Sequence, residues 1–237
     1  TTEIYTLSLH DALPIYIYGP KGIRELVETM IRLSEAFIDF EITITEVSHD
    51  GMVAIYEDGI VSVSAFPLMH RIPTFGFRVD EKAGTYNIRA ESIRTLGLTT
   101  DQIRAAKSGK DLLLASGKII PNHEIVYQKS RLRSFVYCSD TAYDEGLAAY
   151  IKGADILYHE ATYLEDLAIQ AKERFHSTVL DAARLASMAG VGRLVIGHFS
   201  TRYLDKRQFQ EEGRLEFGEI TLGEEGKIIS IEYEKNE

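Results

Sequence analysis

The chain has 237 residues, of which 45% are hydrophobic and 26% are charged, a balance typical of a globular domain with a substantial buried core. No apolar run approaches the roughly 20 residues that a bilayer-spanning helix needs, and the sequence contains no recognisable signal peptide. From these two features we expect a cytoplasmic protein that does not bind membranes, and the single cysteine, Cys138, which cannot form an internal disulfide, fits a reducing compartment. The formal net charge of −10 argues against nonspecific binding to nucleic acid.

The first fifteen residues differ in character from the rest of the chain. The segment from Tyr5 to Ile15 reads YTLSLHDALPI, which resembles the translation of a DNA-sequencing adapter. We therefore expect residues 1–15 to be non-native and set aside the pair His10 and Asp11 as a metal motif. The alternative is a genuine amino-terminal strand.

Strand patterns dominate the part of the chain that follows Tyr16. The run IYIYGP predicts a short strand closed by a Gly-Pro turn. An amphipathic helix is predicted next, from the three- and four-residue spacing of Ile23, Leu26, Val27, Met30, Ile31 and Leu33. Antiparallel hairpins within one sheet are predicted from the runs FEITITEV, MVAIYED, IVSVSAFPL and TFGFRVDE.

Residues from about 83 to 122 interrupt the strand pattern and are predicted to form an inserted arm with two short helices. Positive charge is concentrated there, with Asp111 as the one acidic residue between Arg104 and Lys118. The basic residues of this segment are Arg104, Lys107, Lys110 and Lys118.

Strands and helices alternate in the second half of the chain. Strands are predicted in SFVYCSD, ADILYHEA and RLVIGHF, and helices near Leu147–Ile151 and from Ser177 to Met188. A β-rich first half followed by alternating β and α predicts an α/β (α+β) fold, with two sheets between outer helices in an αββα sandwich. Residues 16–237 are expected to form this one domain.

Histidine and carboxylate side chains occur where predicted strands end. Three histidines, His70, His159 and His198, lie at or just beyond apolar runs, while His176 precedes a helix and Asp140 follows FVYCS. Taken singly, each histidine is more often structural, and an aspartate before a threonine is often a helix cap. Together they match the ligand set of a hydrolytic zinc site, because loops at strand ends can converge on one cleft.

A family resemblance becomes specific on six motifs. The segments YGPKGI, HRIPTFGFR, YCSDT, YHEAT, FHST and GHFSTRY occur in the order found in ribonuclease Z, of the metallo-β-lactamase superfamily. The resemblance runs from Tyr16 to Glu237, and the pairing of HEAT with GHFSxRY is its most specific part. It implies a homodimeric, zinc-dependent endoribonuclease that removes the 3′ trailer from precursor tRNA and yields 5′-phosphomonoesters. Each complete subunit is expected to bind two zinc ions.

The resemblance also implies a role for each site residue. It makes His70 a ligand of one zinc ion, Asp140 the bridge between both, and His198 a ligand of the second. A hydroxide held between the metals is implied as the nucleophile that attacks the phosphodiester. Proton donation to the leaving ribose 3′ oxygen falls to His176, oriented by Glu160. The residues expected to lie beside these groups without contacting metal are His159, Ser200 and Arg202.

One departure from the family pattern concerns the HxHxDH motif, which supplies the remaining zinc ligands. The motif is expected upstream of YGPKGI and does not occur in this sequence. We therefore expect the chain to be a carboxy-terminal portion that is inactive by itself.

Three functions remain open. The first is the tRNA endonuclease, in which the basic residues of the arm form an exosite that grips the tRNA. The second is a phosphodiesterase of the same superfamily that acts on small substrates, and the third is a noncatalytic binding module. The basic arm favours the first function, although charge runs are often only solvated loops. The presence of Asp140, His176 and His198 in register argues against the third.

Overall fold

A computed structural model describes residues 13–84, 86–114, 116–128 and 131–232 as a mixed α/β fold. His10 and Asp11 lie outside the described residues. The helices are α1 (Ile23–Leu33), α2 (Ala90–Leu96), α3 (Thr100–Lys107), α4 (Asn122–Ile125), α5 (Leu147–Ile151), α6 (Ala168–Glu173), α7 (Val179–Ala189) and α8 (Arg207–Gly213). The strands are β1 (Ile15–Gly19), β2 (Ile42–Glu46), β3 (Val53–Glu57), β4 (Val61–Leu68), β5 (Thr74–Glu81), β6 (Asn87–Ile88), β7 (Leu112–Leu113), β8 (Ile119–Ile120), β9 (Val126–Tyr127), β10 (Ser134–Cys138), β11 (Ile156–Glu160), β12 (Arg193–Gly197) and β13 (Ile220–Leu222).

A seven-stranded sheet forms the centre of the molecule, in the order β13-β12-β11-β10-β5-β4-β3. Its neighbours from β10 to β13 are parallel, and those from β10 through β5 and β4 to β3 are antiparallel. The prediction that the four runs after α1 share one sheet is wrong for β2. That strand pairs with β1 in a separate parallel sheet, with Ile15 opposite Ile42, because α1 serves as the crossover that a parallel pair requires.

Helix α7 packs on the seven-stranded sheet and has well-defined ends. Thr178 and Asp181 form a capping box at its amino terminus, and Gly190 ends it in the left-handed conformation at φ 63°. Its buried face contributes Leu185 to the main core. Large, fully buried members of that core include Phe66, Leu147, Ile151, Leu157, Leu194, Ile196 and Phe209.

The arm lies between β5 and β10 and has a hydrophobic cluster of its own. The buried members of this arm cluster are Ile88, Leu98, Ala106, Leu112, Ile120, Ile125 and Val126. Both predicted helices are present as α2 and α3, and a capping box of Thr99 and Gln102 begins α3.

The base of the arm is closed where the chain leaves β5 and returns to β10. The Glu81 amide donates to the Arg133 carbonyl at 2.8 Å, and the Arg133 amide donates to Oε2 of Glu81 at 3.0 Å. The guanidinium of Arg133 also bonds to Oε1, and this hydrogen bond holds the pKa of Glu81 below its usual value although burial opposes the shift.

Among the described helices, none combines the length and the apolar character needed to cross a lipid bilayer.

Candidate metal centre

Three adjacent parallel strands bring the candidate residues to one edge of the sheet. Asp140 follows β10, Glu160 is the last residue of β11, and His198 directly follows β12. The carboxyl ends of parallel strands meet at the same edge, which is where ligands bind in open α/β sheets. The order of the strands therefore brings together residues that are far apart in sequence.

Two of these residues adopt a backbone conformation that is unusual for non-glycine residues. Asp140 has φ 59° and His198 has φ 58°, both in the left-handed region. Such residues cost about 1–3 kcal/mol each and cluster at functional sites, where the surrounding structure enforces them. The two side chains converge, and Nε2 of His198 lies 3.2 Å from Oδ1 of Asp140.

Four side chains place possible ligand atoms within 4.8 Å of one another: Asp140, Glu160, His176 and His198. His70 lies outside this group, with its ring centre 5.3 Å from that of His176. The Nδ1 atom of His70 lies 2.9 Å from the carbonyl oxygen of Phe175, so Nε2 is the nitrogen left for a ligand. Imidazole nitrogens and carboxylate oxygens are the donors that zinc prefers in hydrolytic sites, so the residues present fit this metal.

Glu160 is completely buried, and four protein donors occupy its carboxylate. Oε1 accepts from the Thr141 amide at 2.7 Å and lies 2.8 Å from Nδ1 of His176. Oε2 accepts from the Thr162 hydroxyl and from the Ser177 amide. Burial alone would raise the pKa of Glu160, but these hydrogen bonds outweigh it and the pKa lies below its ordinary value. A carboxylate saturated in this way is suited to orient His176 rather than to bind a metal.

Thr162 connects the Glu160 carboxylate to His198, a contact that was not predicted from the sequence. Its hydroxyl donates to Glu160 and lies 2.8 Å from Nδ1 of His198, from which it can accept. This arrangement places the proton of His198 on Nδ1 and leaves Nε2 free for a metal. The signal was present in YHEAT, because residues two apart in an extended segment share a face.

His159 is buried and lies away from the ligand atoms. Its Nδ1 is 2.7 Å from the carbonyl oxygen of Glu160, and Nε2 has no hydrogen-bond partner among the described residues. Burial lowers the pKa of His159, which keeps the ring neutral.

Arg202 lies at the margin of the site and is held by three neighbours. Its Nε donates to Oγ of Ser200 at 3.2 Å, and Nη1 donates to Oε1 of Gln170 at 3.3 Å. The guanidinium also lies over the Tyr163 ring, 5.4 Å from its centre, and that ring is 6.4 Å from His176.

The four basic residues of the predicted exosite are exposed on the arm. Arg104 and Lys107 lie on α3, Lys110 in the turn that follows, and Lys118 just before β8. Nη1 of Arg104 pairs with Asp101 at 3.0 Å, but both side chains are largely exposed, so this pair contributes little.

Comparison with solved structures defines the class of protein. The metallo-β-lactamase fold protein YhfI from Bacillus subtilis matches 90% of this chain and 63% of its own, with a TM-score of 0.55 at 15% identity. The central sheet and its helices thus have the metallo-β-lactamase fold. No protein-family model matches the chain.

Two further matches identify the family. Ribonuclease Z of Cytophaga hutchinsonii is 36% identical over 219 residues, which are 92% of this chain and 70% of the relative. The crystal structure of human tRNase Z, short form (ELAC1), matches 94% of this chain and 70% of its own, with a TM-score of 0.60 at 25% identity. The chain belongs to the ribonuclease Z family.

Proposed function

We propose that this chain carries catalytic residues of an endoribonuclease that removes the 3′ trailer from precursor tRNA. The observation that carries the proposal is the buried Glu160, which holds His176 beside Asp140 and His198 in a member of the ribonuclease Z family. This arrangement combines a metal-type donor set with a separately oriented imidazole, which suits metal-assisted hydrolysis of a phosphodiester with general-acid catalysis.

His176 is the proposed donor of the proton that the leaving ribose 3′ oxygen needs. The hydrogen bond to Glu160 raises the pKa of His176, although burial opposes the shift, and so favours the protonated ring near neutral pH. Because Nδ1 faces Glu160, Nε2 is the nitrogen that can reach the substrate. Proton transfer by a positioned side chain accelerates reactions by about 10²–10⁴-fold.

Zinc is the proposed metal: His70 would hold one ion, His198 would hold the other, and Asp140 would contribute to both. Two zinc ions per complete subunit would supply Lewis-acid stabilisation of the charge that develops on the phosphate. Cys138 is buried, and burial raises the pKa of its thiol, so this residue is unsuited to be a ligand.

Precursor tRNA is the proposed substrate, and the arm is proposed to dock it away from the metals. The exposed cations Arg104, Lys107 and Lys110 occupy one end of α3 and the adjoining turn. Such a cluster suits successive phosphates of a large RNA and has no use in hydrolysis of a small phosphodiester.

A homodimer in the cytoplasm is also proposed. Helix α1 supports an interface, because it has no buried residue and exposes Leu26, Met30 and Leu33. Light scattering of the purified chain and of Met30→Glu tests this assignment, and a monomeric wild type would contradict it. The free thiol of Cys138 accords with a reducing compartment.

Cleavage is best tested in a chimera, because the HxHxDH motif is absent from this sequence. The segment expected to carry that motif in the Cytophaga relative is placed before Tyr16, and the chimera is incubated with zinc and a precursor tRNA. We expect a tRNA that ends in a 3′ hydroxyl and a trailer that begins with a 5′ phosphate.

The same chimera separates the competing functions. Hydrolysis of bis(p-nitrophenyl) phosphate without tRNA cleavage would support the small-substrate phosphodiesterase. Specific RNA binding without hydrolysis of either substrate would support a binding module. The unmodified 237-residue chain, assayed in parallel, is expected to bind precursor tRNA without cutting it.

A further inference from the structure

A cavity of about 470 Å³ opens beside His176 and has no role in the function proposed above. Its lining includes Met69, Tyr143, Lys172, Phe175, His176 and Asp181. We call it the Phe175 cavity. Because His176 forms part of its wall, any group bound there lies next to the proposed proton donor.

Phe175 is held in the wall by its own backbone. It is left-handed at φ 59°, its amide donates to the Lys172 carbonyl at 3.2 Å, and its carbonyl oxygen lies 2.9 Å from Nδ1 of His70. The cost of this conformation indicates that the surrounding structure enforces the position of the ring. Phe175 is 37% exposed, so it remains available to a ligand.

A second aromatic ring lines the same cavity. The Tyr143 hydroxyl lies 3.4 Å from Oε1 of Glu145 and 3.8 Å from the sulfur of Met188, which orients the ring. Proteins recognise unpaired nucleotides by stacking their bases on aromatic side chains of this kind.

The mainly apolar lining favours a base over a bare phosphate. Lys172 and the protonated ring of His176 contribute cations and Asp181 an anion, and neither Lys172 nor Asp181 forms an ion pair among the described residues. Oδ2 of Asp181 accepts from the Thr178 amide, so this carboxylate is fixed in the wall. A cavity whose lining is mainly apolar suits an aromatic heterocycle, with Lys172 available to the phosphate of the same nucleotide.

We propose that the Phe175 cavity binds the unpaired nucleotide that carries the leaving 3′ oxygen, with its base against Phe175 and Tyr143. This inference rests on the proposed function, because only the role of His176 identifies which nucleotide lies beside it. If His176 gives its proton to that oxygen, the ribose of the same nucleotide is at the mouth of the cavity. The base then enters the adjoining space.

The test is a binding cycle between protein and RNA, measured with the 237-residue chain in buffer without added metal. Phe175→Leu removes the stacking face, and an abasic residue in the precursor tRNA removes the base on the 5′ side of the cleavage point. Each change alone should weaken binding by about 5- to 150-fold, the range for one stacked base. The two changes together should weaken it no further, because both remove the same contact.

Two variants accompany the cycle. Tyr143→Leu should show the same coupling to the abasic residue, which guards against a folding defect specific to position 175. Phe37→Leu is the matched control, because Phe37 is 90% exposed and does not line the cavity, and it should leave the affinity unchanged. Crosslinking of 4-thiouridine at the same RNA position should map to a peptide that contains Tyr143 or Phe175.

Failure of the cavity proposal and failure of the proposed function give different results. The first case is a wild-type chain that prefers precursor tRNA to an unrelated RNA. If the loss of binding free energy from either variant then adds to the loss from the abasic residue, the cavity does not bind this base. A crosslink that maps elsewhere has the same meaning. If the wild-type chain shows no preference for precursor tRNA at all, the proposed function itself is wrong.

Discussion

The hydroxyl of Thr162 lies 2.8 Å from Nδ1 of His198, and it donates its own proton to Glu160. One hydroxyl thus connects the residue that orients His176 with a proposed zinc ligand. A substitution of Glu160 or of His198 is therefore expected to affect the other residue. The reason is that hydrogen-bond partners of a ligating histidine fix its ring orientation and tautomer.

Thr162→Val is expected to release His198 without changing the size of the side chain. Loss of the acceptor at Nδ1 should let the ring sample both tautomers, which nitrogen-15 shifts of the imidazole report directly. Zinc affinity should fall by about 10- to 100-fold, measured by competition with a chromophoric chelator. Thr221→Val on β13 is the control, and equal losses in both variants would contradict the role given to Thr162.

Two variants should distinguish the role of the proposed proton donor, His176, from that of the proposed bridging ligand, Asp140. In the chimera described above, His176→Gln should slow tRNA cleavage by about 100-fold or more and leave the zinc content unchanged. Asp140→Ala should instead remove zinc, because Asp140 is proposed to hold both ions. Metal analysis of the two proteins decides between the roles. Loss of zinc from His176→Gln would make His176 a ligand.

The charges of the arm should control docking and not chemistry. Each phosphate contact releases condensed counterions, so replacing Arg104, Lys107 and Lys110 with Ala should weaken tRNA binding and flatten its salt dependence. A triple variant of Lys152, Arg184 and Arg214 matches the loss of charge elsewhere and should have a smaller effect. If the salt dependence of tRNA binding is unchanged in the first variant, the basic cluster is only part of a solvated loop and does not contact the RNA.

The arm cluster should unfold separately from the main core. Leu112 is 2% exposed in the arm cluster and Leu185 is fully buried in the main core, so Leu→Ala at either site should cost about 2–5 kcal/mol. Leu112→Ala should speed hydrogen exchange within the arm and spare the seven-stranded sheet, whereas Leu185→Ala should speed exchange in the sheet. Uniformly faster exchange in Leu112→Ala would show that the two clusters fold as one unit.

Acid should loosen the base of the arm. The hydrogen bond to Arg133 lowers the pKa of Glu81 from the ordinary value of 4.5, so the ionised carboxylate stabilises the folded state above that value. This contribution is lost as the pH falls through the lowered pKa. Urea unfolding between pH 7 and pH 3 should therefore show a weaker pH dependence in Glu81→Gln than in wild type. Identical pH profiles of the two proteins would show that Glu81 does not contribute to the loss of stability in acid.

The sequence predicted the elements of the fold better than their pairing. Alternation in β2 marked a strand correctly, but a pattern of alternating side chains does not specify which strand lies beside it, and β2 pairs with β1. Asp140 and His198 could be placed at one edge because strand ends in a parallel sheet converge. The spacing in YHEAT could place Thr162 on the same face as Glu160, but its contact with His198 could not be predicted, because that contact depends on how closely the loop after β12 approaches β11. The Phe175 cavity likewise forms only when α6 packs beside the loop after β10.

The arm carries its own hydrophobic cluster and joins the sheet through a closed base at Glu81 and Arg133. Substitutions on its surface therefore need not disturb the strand ends that hold Asp140 and His198. Under the docking role proposed for the arm, mutation can adjust which RNAs bind while Asp140 and His198 stay in place. Substrate range and reaction chemistry would then be free to evolve at different rates within one chain.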